Sequence, residues 1–169
     1  MHATPLYEIE FGDQYPTLAT AGGGILTQQA STASIQRDSA VPAGNLAYTQ
    51  VVANQAGITT LVDATGLALT VTAASGRRLR IEAQLQLLSS VAGDIIQAQL
   101  VEDGTTVLQV VQLVASTSGQ NVNPIAIRQP SAGVHTYKVQ IQRAGGTGNV
   151  TSIAGGTDPA FIMVEDVGV

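Results

Sequence analysis

The amino-acid sequence predicts an all-β protein. A jelly-roll-like antiparallel β-sandwich is expected over residues 46–169, preceded by an extended N-terminal arm and linker over residues 1–45. From residue 46 onward, apolar runs alternate with turn sequences at the spacing of roughly eight to twelve residues that is typical of a sandwich. Many of these runs alternate apolar and polar side chains, which indicates half-buried strands. The best helical rival, residues 93–113, is apolar on both faces and contains an Asp103-Gly104 turn, so a hairpin is favoured.

These patterns predict ten strands. They cover residues 46–52, 57–62, 67–72, 77–88, 94–101, 106–115, 121–128, 135–143, 149–154 and 160–165. The glycine-rich segment AGGTGN at 144–149 lies between two of them and lacks the Lys-Ser/Thr pair of a phosphate-binding loop. It is therefore predicted to be a hairpin turn.

The basic segment RRLR at 77–80 begins the most regular predicted strand. The apolar and polar residues of this strand lie on opposite faces. One face contains Leu79, Ile81, Ala83, Leu85 and Leu87, and the other contains Arg78, Arg80, Glu82, Gln84 and Gln86. We expect the arginines to lie on a solvated strand face. Arg78 and Arg80 are also candidates for ion pairs with acidic residues of a neighbouring subunit.

The N-terminal arm contains a short candidate anchor. Tyr7, Ile9 and Phe11 alternate with two glutamates, and Tyr15 follows just before a proline. An apolar strand of this kind can add to the edge of a partner's sheet. We therefore predict that these four residues bind a partner, with an extra strand on the chain's own domain as the alternative.

The predicted strand 106–115 is apolar on both faces. Val107, Val111 and Leu113 fall on one face, and Leu108, Val110 and Val114 fall on the other. One face can fill the domain core, whereas the other needs a second cover because large exposed apolar patches usually mark interfaces. We therefore predict a homo-oligomer, with a homotrimer favoured and with Leu108 and Val110 among its contacts.

Composition excludes several classes of partner. The net charge is −5 with seven Lys and Arg, which argues against a surface that follows nucleic-acid phosphates. The chain has no cysteine, so disulfides and thiolate chemistry are absent. No apolar run approaches the roughly 20 residues of a membrane-spanning helix, and no secretory signal is predicted.

Catalytic residues are scarce, so no enzyme activity, metal or cofactor is predicted. His135 alternates with the apolar residues of its strand and is expected to face inward, and no G-x-S-x-G motif is present. The carboxylate pairs Glu102-Asp103 and Glu165-Asp166 consist of adjacent residues, which point to opposite faces of a strand. Neither pair is therefore expected to form a converging acid/base couple.

Three tracts of the sequence resemble a known module. GNLAYTQVVANQAGITTLVDATGLALTVTAASGRRLRI, LSSVAGDIIQAQLVEDGTTVLQ and PSAGVHTYKVQIQRAGGTGNVTSIAGGTDPAFIMVEDVGV are similar to the β-rich C-terminal module of virion structural proteins from tailed phages of actinobacteria. The resemblance covers about residues 44–169, and PSAGVHTYKV and PAFIMVEDVG are its most specific parts. It implies a non-enzymatic virion component with a jelly-roll-like sandwich that tends to trimerise.

The resemblance implies two possible locations in the particle. A short arm ahead of one domain favours a capsid decoration protein on the capsid exterior, with the major capsid protein or other virion proteins as partners. A minor tail or tail-tip protein is the close alternative. A carbohydrate- or host-surface-binding module is the alternative from a different class, although the domain offers only Tyr48, Tyr137 and Phe161 as aromatic platforms.

Overall fold

The computed structural model describes residues 44–168, and these residues form a sandwich of two antiparallel sheets built from eleven strands. The strands are β1 (Gly44–Val51), β2 (Gln55–Ile58), β3 (Val62–Ala73), β4 (Arg78–Ser89), β5 (Ile95–Glu102), β6 (Thr106–Val114), β7 (Gln120–Val122), β8 (Ile125–Arg128), β9 (Gly133–Gly145), β10 (Val150–Ile153) and β11 (Ala160–Gly168). The described part of the chain contains no helix, so it also has none that could cross a membrane. The predicted antiparallel β-sandwich is confirmed.

The seven-stranded sheet is organised around β4. One edge of β4 pairs with β11 along residues 78–84 and with β10 along residues 86–89, and β1 and β2 follow outside these two strands. The alternation predicted for β4 is confirmed, because its five apolar residues from Leu79 to Leu87 are buried and the polar residues between them are more exposed. The inner face of β4 therefore provides the centre of the core.

Strands β7 and β8 form the other neighbour of β4 and share one continuous register. Val122 lies opposite Leu85 and Ile125 lies opposite Glu82, so the single predicted strand 121–128 follows one line along β4. It is interrupted at Pro124, which has no N–H to donate but accepts a hydrogen bond from the Ala83 amide at 3.0 Å. Proline is tolerated here because β7 and β8 lie at the edge of the sheet.

The four-stranded sheet has the order β3-β9-β5-β6. Its inner face contributes Leu69, Ile96, Leu100, Tyr137 and Ile141, which pack with the apolar face of β4 in one buried cluster. The predicted strand 57–62 is wrong at its C-terminal end: β2 ends at Ile58, and β3 begins four residues later at Val62. The sequence does not reveal this break, at which the chain passes from one sheet to the other.

The glycine-rich segment 144–149 contains the predicted turn, but the prediction of a hairpin is wrong. The chain turns between the end of β9 at Gly145 and the start of β10 at Val150, and these strands belong to different sheets, so the turn connects the two sheets of the sandwich. The buried carboxylate of Asp94 holds it in place. It accepts hydrogen bonds from the amides of Thr147 at 3.1 Å and Gly148 at 2.9 Å, and from the Ser89 hydroxyl at 2.6 Å. Amides that could bind a phosphate in another loop thus bind a carboxylate of the same domain.

Candidate interaction surfaces

Strand β6 forms an open edge of the four-stranded sheet. Within residues 44–168 it has a backbone ladder only with β5. Its nine residues, TVLQVVQLV, include no charged residue, proline or glycine. Long edges of this kind are normally blocked by such residues, because their unpaired N–H and C=O groups otherwise pair with another chain.

The side chains of β6 are exposed on the outer face of the sheet. Val107, Val110 and Val114 are 49%, 46% and 63% exposed. Leu108 was predicted to lie on one face with Val110 and Val114, and Val107 on the opposite face; both placements are wrong. The register shifts so that Gln109 lies opposite Leu100 and Val107 lies opposite Val101, which makes Leu108 an extra, bulged residue that packs against the core. The participation of Leu108 and Val110 in an oligomer contact stays a prediction.

A row of hydrogen-bonded glutamines crosses the outer face of the same sheet. Gln112 donates to Gln97 at 2.8 Å, Gln97 donates to Gln99 at 3.0 Å, and Gln99 donates to Gln140 at 2.9 Å. Gln140 in turn donates at 2.8 Å to Asp63 of β3. The row connects all four strands beside the valines of β6; within it Gln99 is buried and Gln112 is exposed.

Arg78 and Arg80 lie on the outer face of the seven-stranded sheet. Arg80 contacts Glu82 at 2.8 Å and Glu165 on β11 at 2.9 Å, so it already has two acidic partners in its own chain. Arg78 is exposed. Their predicted contacts with a neighbouring subunit stay a prediction, as does the arm anchor of Tyr7, Ile9, Phe11 and Tyr15, which lies outside the described residues.

An aromatic pair lies on the same outer face. The rings of Tyr48 on β1 and Phe161 on β11 are stacked, with their centroids 5.8 Å apart and an angle of 29° between their planes. Tyr48 is 48% exposed, and its hydroxyl donates to the Gln50 side chain at 2.6 Å. Gln84 of β4 lies opposite Phe161. The register therefore creates an aromatic surface flanked by amides from residues far apart in sequence.

A polar cluster lies at the β5–β6 turn. His135 of β9 directs Nδ1 to the Asp103 carboxylate at 2.9 Å and Nε2 to the Ser131 carbonyl at 3.0 Å. Glu102 contacts Arg128 of β8 at 3.1 Å. The expectation that His135 faces inward is confirmed, because it is 8% exposed.

Glu102 and Asp103 converge, contrary to the expectation from strand alternation. Asp103 leaves the strand with a φ of 50°, and its backbone amide and Oδ1 both bond to Thr136, at 2.8 Å each. This left-handed turn redirects the carboxylate, so that one ligand-type atom from each of Glu102, Asp103 and His135 lies within 4.8 Å of the others. The sequence gives no signal for this convergence, since it depends on the β5–β9 pairing of Glu102 with Tyr137.

The environment shifts three pKa values in the cluster. The Thr136 amide, opposed by burial and assisted by His135, lowers the pKa of Asp103. Burial acts to lower the pKa of His135, but hydrogen bonds to Ser131 and Asp103 and the charges of Asp103 and Glu102 together raise it. Burial and the nearby Glu102 carboxylate raise the pKa of the Tyr137 hydroxyl, so that group stays neutral.

Comparison with known proteins finds only distant structural similarity. No protein-family model matches the chain, and no curated protein matches it in sequence. One similar solved structure is the sugar-binding C-terminal domain of EclA, with 11% identity over 91% of this chain and 84% of that chain and a TM-score of 0.41. Another is a carbohydrate-binding module of lichenase 5A from Cellvibrio mixtus, in complex with cellotriose, with 16% identity over 72% of this chain and 97% of that chain and a TM-score of 0.36. At these identities and TM-scores the likeness carries no inference about ligand or activity.

Proposed function

We propose that this chain is a non-enzymatic assembly module of a phage particle, and that it associates with further copies of itself through β6. The observation that carries the proposal is the open, uncharged edge strand whose outer face exposes Val107, Val110 and Val114. The resemblance of residues 44–169 to a virion module supports the same class of function. A trimer of such domains, mounted on the capsid exterior by the N-terminal arm, is the arrangement we favour over a tail location.

The energetics of self-association favour this edge. Each valine is about half exposed, so covering it with a partner contributes on the order of 1 kcal/mol. Three copies of a weak contact reinforce one another in a closed ring, because the second and third contacts form within one particle. Gln112, the exposed end of the neighbouring glutamine row, can exchange hydrogen bonds with a partner, since its amide offers both donors and an acceptor.

Light scattering on the full chain tests self-association. The wild type is expected to have the mass of a trimer, and Val110→Lys is expected to reduce that mass because it places a charge on the outer face of β6. Val134→Lys is the matched control, since Val134 is 67% exposed on the same sheet but lies at the start of β9. A monomeric wild type, or equal effects of the two substitutions, would contradict the proposal.

Binding to undecorated capsids tests the role of the arm. A triple variant of the full chain, Tyr7→Ser, Ile9→Ser and Phe11→Ser, removes the apolar anchor without changing the length of the chain. We expect the variant to keep its mass in solution and to lose binding to shells. Retained binding would show that the arm is not the anchor, and wild-type binding to tails instead of shells would favour the tail location.

A second candidate function, carbohydrate binding, is favoured by the Tyr48–Phe161 pair. Exposed aromatic rings with polar groups at their rim suit a ligand that has both apolar and hydroxylated faces, and Gln50 and Gln84 provide such groups. Calorimetry with soluble cell-wall oligosaccharides tests it. Tyr48→Ala should abolish any binding that Val52→Ala, a change at another exposed residue, leaves intact. Absence of wild-type binding would remove this candidate.

A further inference from the structure

We propose that Glu102, Asp103 and His135 form a binding site for one divalent transition-metal ion, with Zn²⁺ as the best match. The three residues contribute two carboxylates and one imidazole, and their ligand-type atoms lie within 4.8 Å of one another. Ligand atoms around a tetrahedral zinc ion with bonds of about 2.0–2.2 Å lie roughly 3.4 Å apart. A small contraction of the cluster would therefore suffice for coordination.

The histidine is oriented for coordination through Nδ1. The Ser131 carbonyl can only accept a hydrogen bond, so Nε2, at 3.0 Å from it, carries a hydrogen. A metal-bound histidine typically donates its other ring N–H to such a carbonyl, which fixes the ring. Nδ1 faces the carboxylate of Asp103. When the imidazole is protonated, Nδ1 carries a hydrogen; when the imidazole is neutral with its hydrogen on Nε2, Nδ1 has a lone pair that can bind a metal.

A buried carboxylate oxygen of Glu102 points independently to a missing ligand. Glu102 is only 6% exposed; Arg128 bonds to its Oε2, and its Oε1 is buried without a hydrogen-bond partner among the described residues. The hydroxyl of the fully buried Tyr137 lies close enough to interact with the Glu102 carboxylate, although no hydrogen bond of normal geometry joins the two groups. Buried polar atoms without partners are costly, and a bound cation would satisfy the oxygen of Glu102.

The net charge of the residues at the turn also favours binding of a cation. With neutral His135, the two carboxylates and Arg128 sum to one negative charge. A nitrogen ligand beside two carboxylates suits zinc better than magnesium or calcium, which prefer all-oxygen sites. The Asp103 side chain is 47% exposed, so the ion can enter from solvent.

Calorimetric titration of the full, EDTA-treated chain with ZnCl₂ tests the site. All proteins carry His2→Ala, because His2 is the other histidine of the chain. We expect one ion to bind per chain, and Asp103→Asn to weaken binding about tenfold or more, since it replaces a charged ligand. Asp63→Asn is the matched control, because Asp63 is an exposed carboxylate paired with Lys138 on another part of the sheet.

The imidazole signals of His135 provide a second measurement that does not depend on any variant. Nuclear magnetic resonance should show Zn²⁺, but not Mg²⁺, shifting the Nδ1 signal while the Nε2–H signal persists. No saturable zinc binding, equal weakening by Asp103→Asn and Asp63→Asn, or an unmoved Nδ1 signal would overturn the proposal. The cluster would then be a hydrogen-bonded ion pair only.

Discussion

Individual residues determine how tightly the β9–β10 turn packs on β5. Gly146 has a φ of +98°, a conformation that residues with a Cβ rarely adopt, and a Cβ there would meet the Asp94 carboxylate. A Cβ at Gly148 would lie 2.5 Å from the Ser89 hydroxyl and 2.6 Å from Asp94 Oδ2. Gly146 and Gly148 are therefore required by close approach to a buried carboxylate.

Gly148→Ala is expected to lower the free energy of unfolding by about 1–3 kcal/mol, because the new methyl group overpacks the Asp94 site. Gly155→Ala is the matched control, since neither glycine has a positive φ and a Cβ at Gly155 meets no atom within 4 Å. Chemical denaturation measures both. The entropy effect of replacing glycine by alanine stabilises the folded state, so an equal loss in both variants would show that overpacking at Asp94 is not its cause.

Asp94 is expected to make stability depend on acid pH. The Ser89 hydroxyl and then the Thr147 and Gly148 amides, against opposing burial, lower the pKa of Asp94 below its ordinary 3.8. A lowered native pKa means that the stabilisation is complete above pH 3.8 and is lost as the pH falls through the native pKa. In denaturation at several pH values, Asp94→Asn should be less stable than wild type at neutral pH, and the difference should shrink on acidification. A constant difference would contradict this account.

At the scale of elements, two arginines at the start of β4, Arg77 and Arg80, are held in different ways. Arg77, just before β4, binds Asp166 at 3.0 Å, and the Asp166 side chain is fully buried. Arg80 and its partners Glu82 and Glu165 are partly exposed. Solvent therefore screens the ion pairs of Arg80, whereas the buried carboxylate of Asp166 is not screened.

Arg77→Gln is therefore expected to destabilise the protein by on the order of 3 kcal/mol, because it leaves a buried carboxylate without its cation. Arg80→Gln should cost less than about 1 kcal/mol. Thermal unfolding of the two variants measures the contrast. Light scattering on Arg80→Gln also tests the predicted subunit contact, and an unchanged mass would remove Arg80 from it.

At the scale of the whole molecule, both sheets share one core. Leu100 on the inner face of the four-stranded sheet and Ile81 on the inner face of the seven-stranded sheet are both fully buried in the same cluster. Neither sheet can cover its apolar face alone, so the two are expected to unfold together.

Leu100→Ala should lower the free energy of unfolding by about 2–5 kcal/mol through loss of buried surface and the cavity left behind. Hydrogen exchange should then show an equal loss of protection in β4, in the opposite sheet. Val134→Ala, at an exposed position, should change neither quantity appreciably. A loss confined to β5 and its neighbours would show that the sheets unfold separately.

The sequence by itself determined the class of fold and most strand positions, because two-residue alternation records which side chains of a strand meet the core. It placed the apolar residues from Leu79 to Leu87 inside, His135 inward and a turn within 144–149, but it did not show that the chain changes sheets at this turn. Only the tertiary structure decided which strand forms an open edge, which side of β6 contains Leu108, and how Glu102, Asp103 and His135 converge. Those outcomes depend on pairing between distant strands, on a bulge and on one left-handed residue, none of which leaves a periodic signal in the chain.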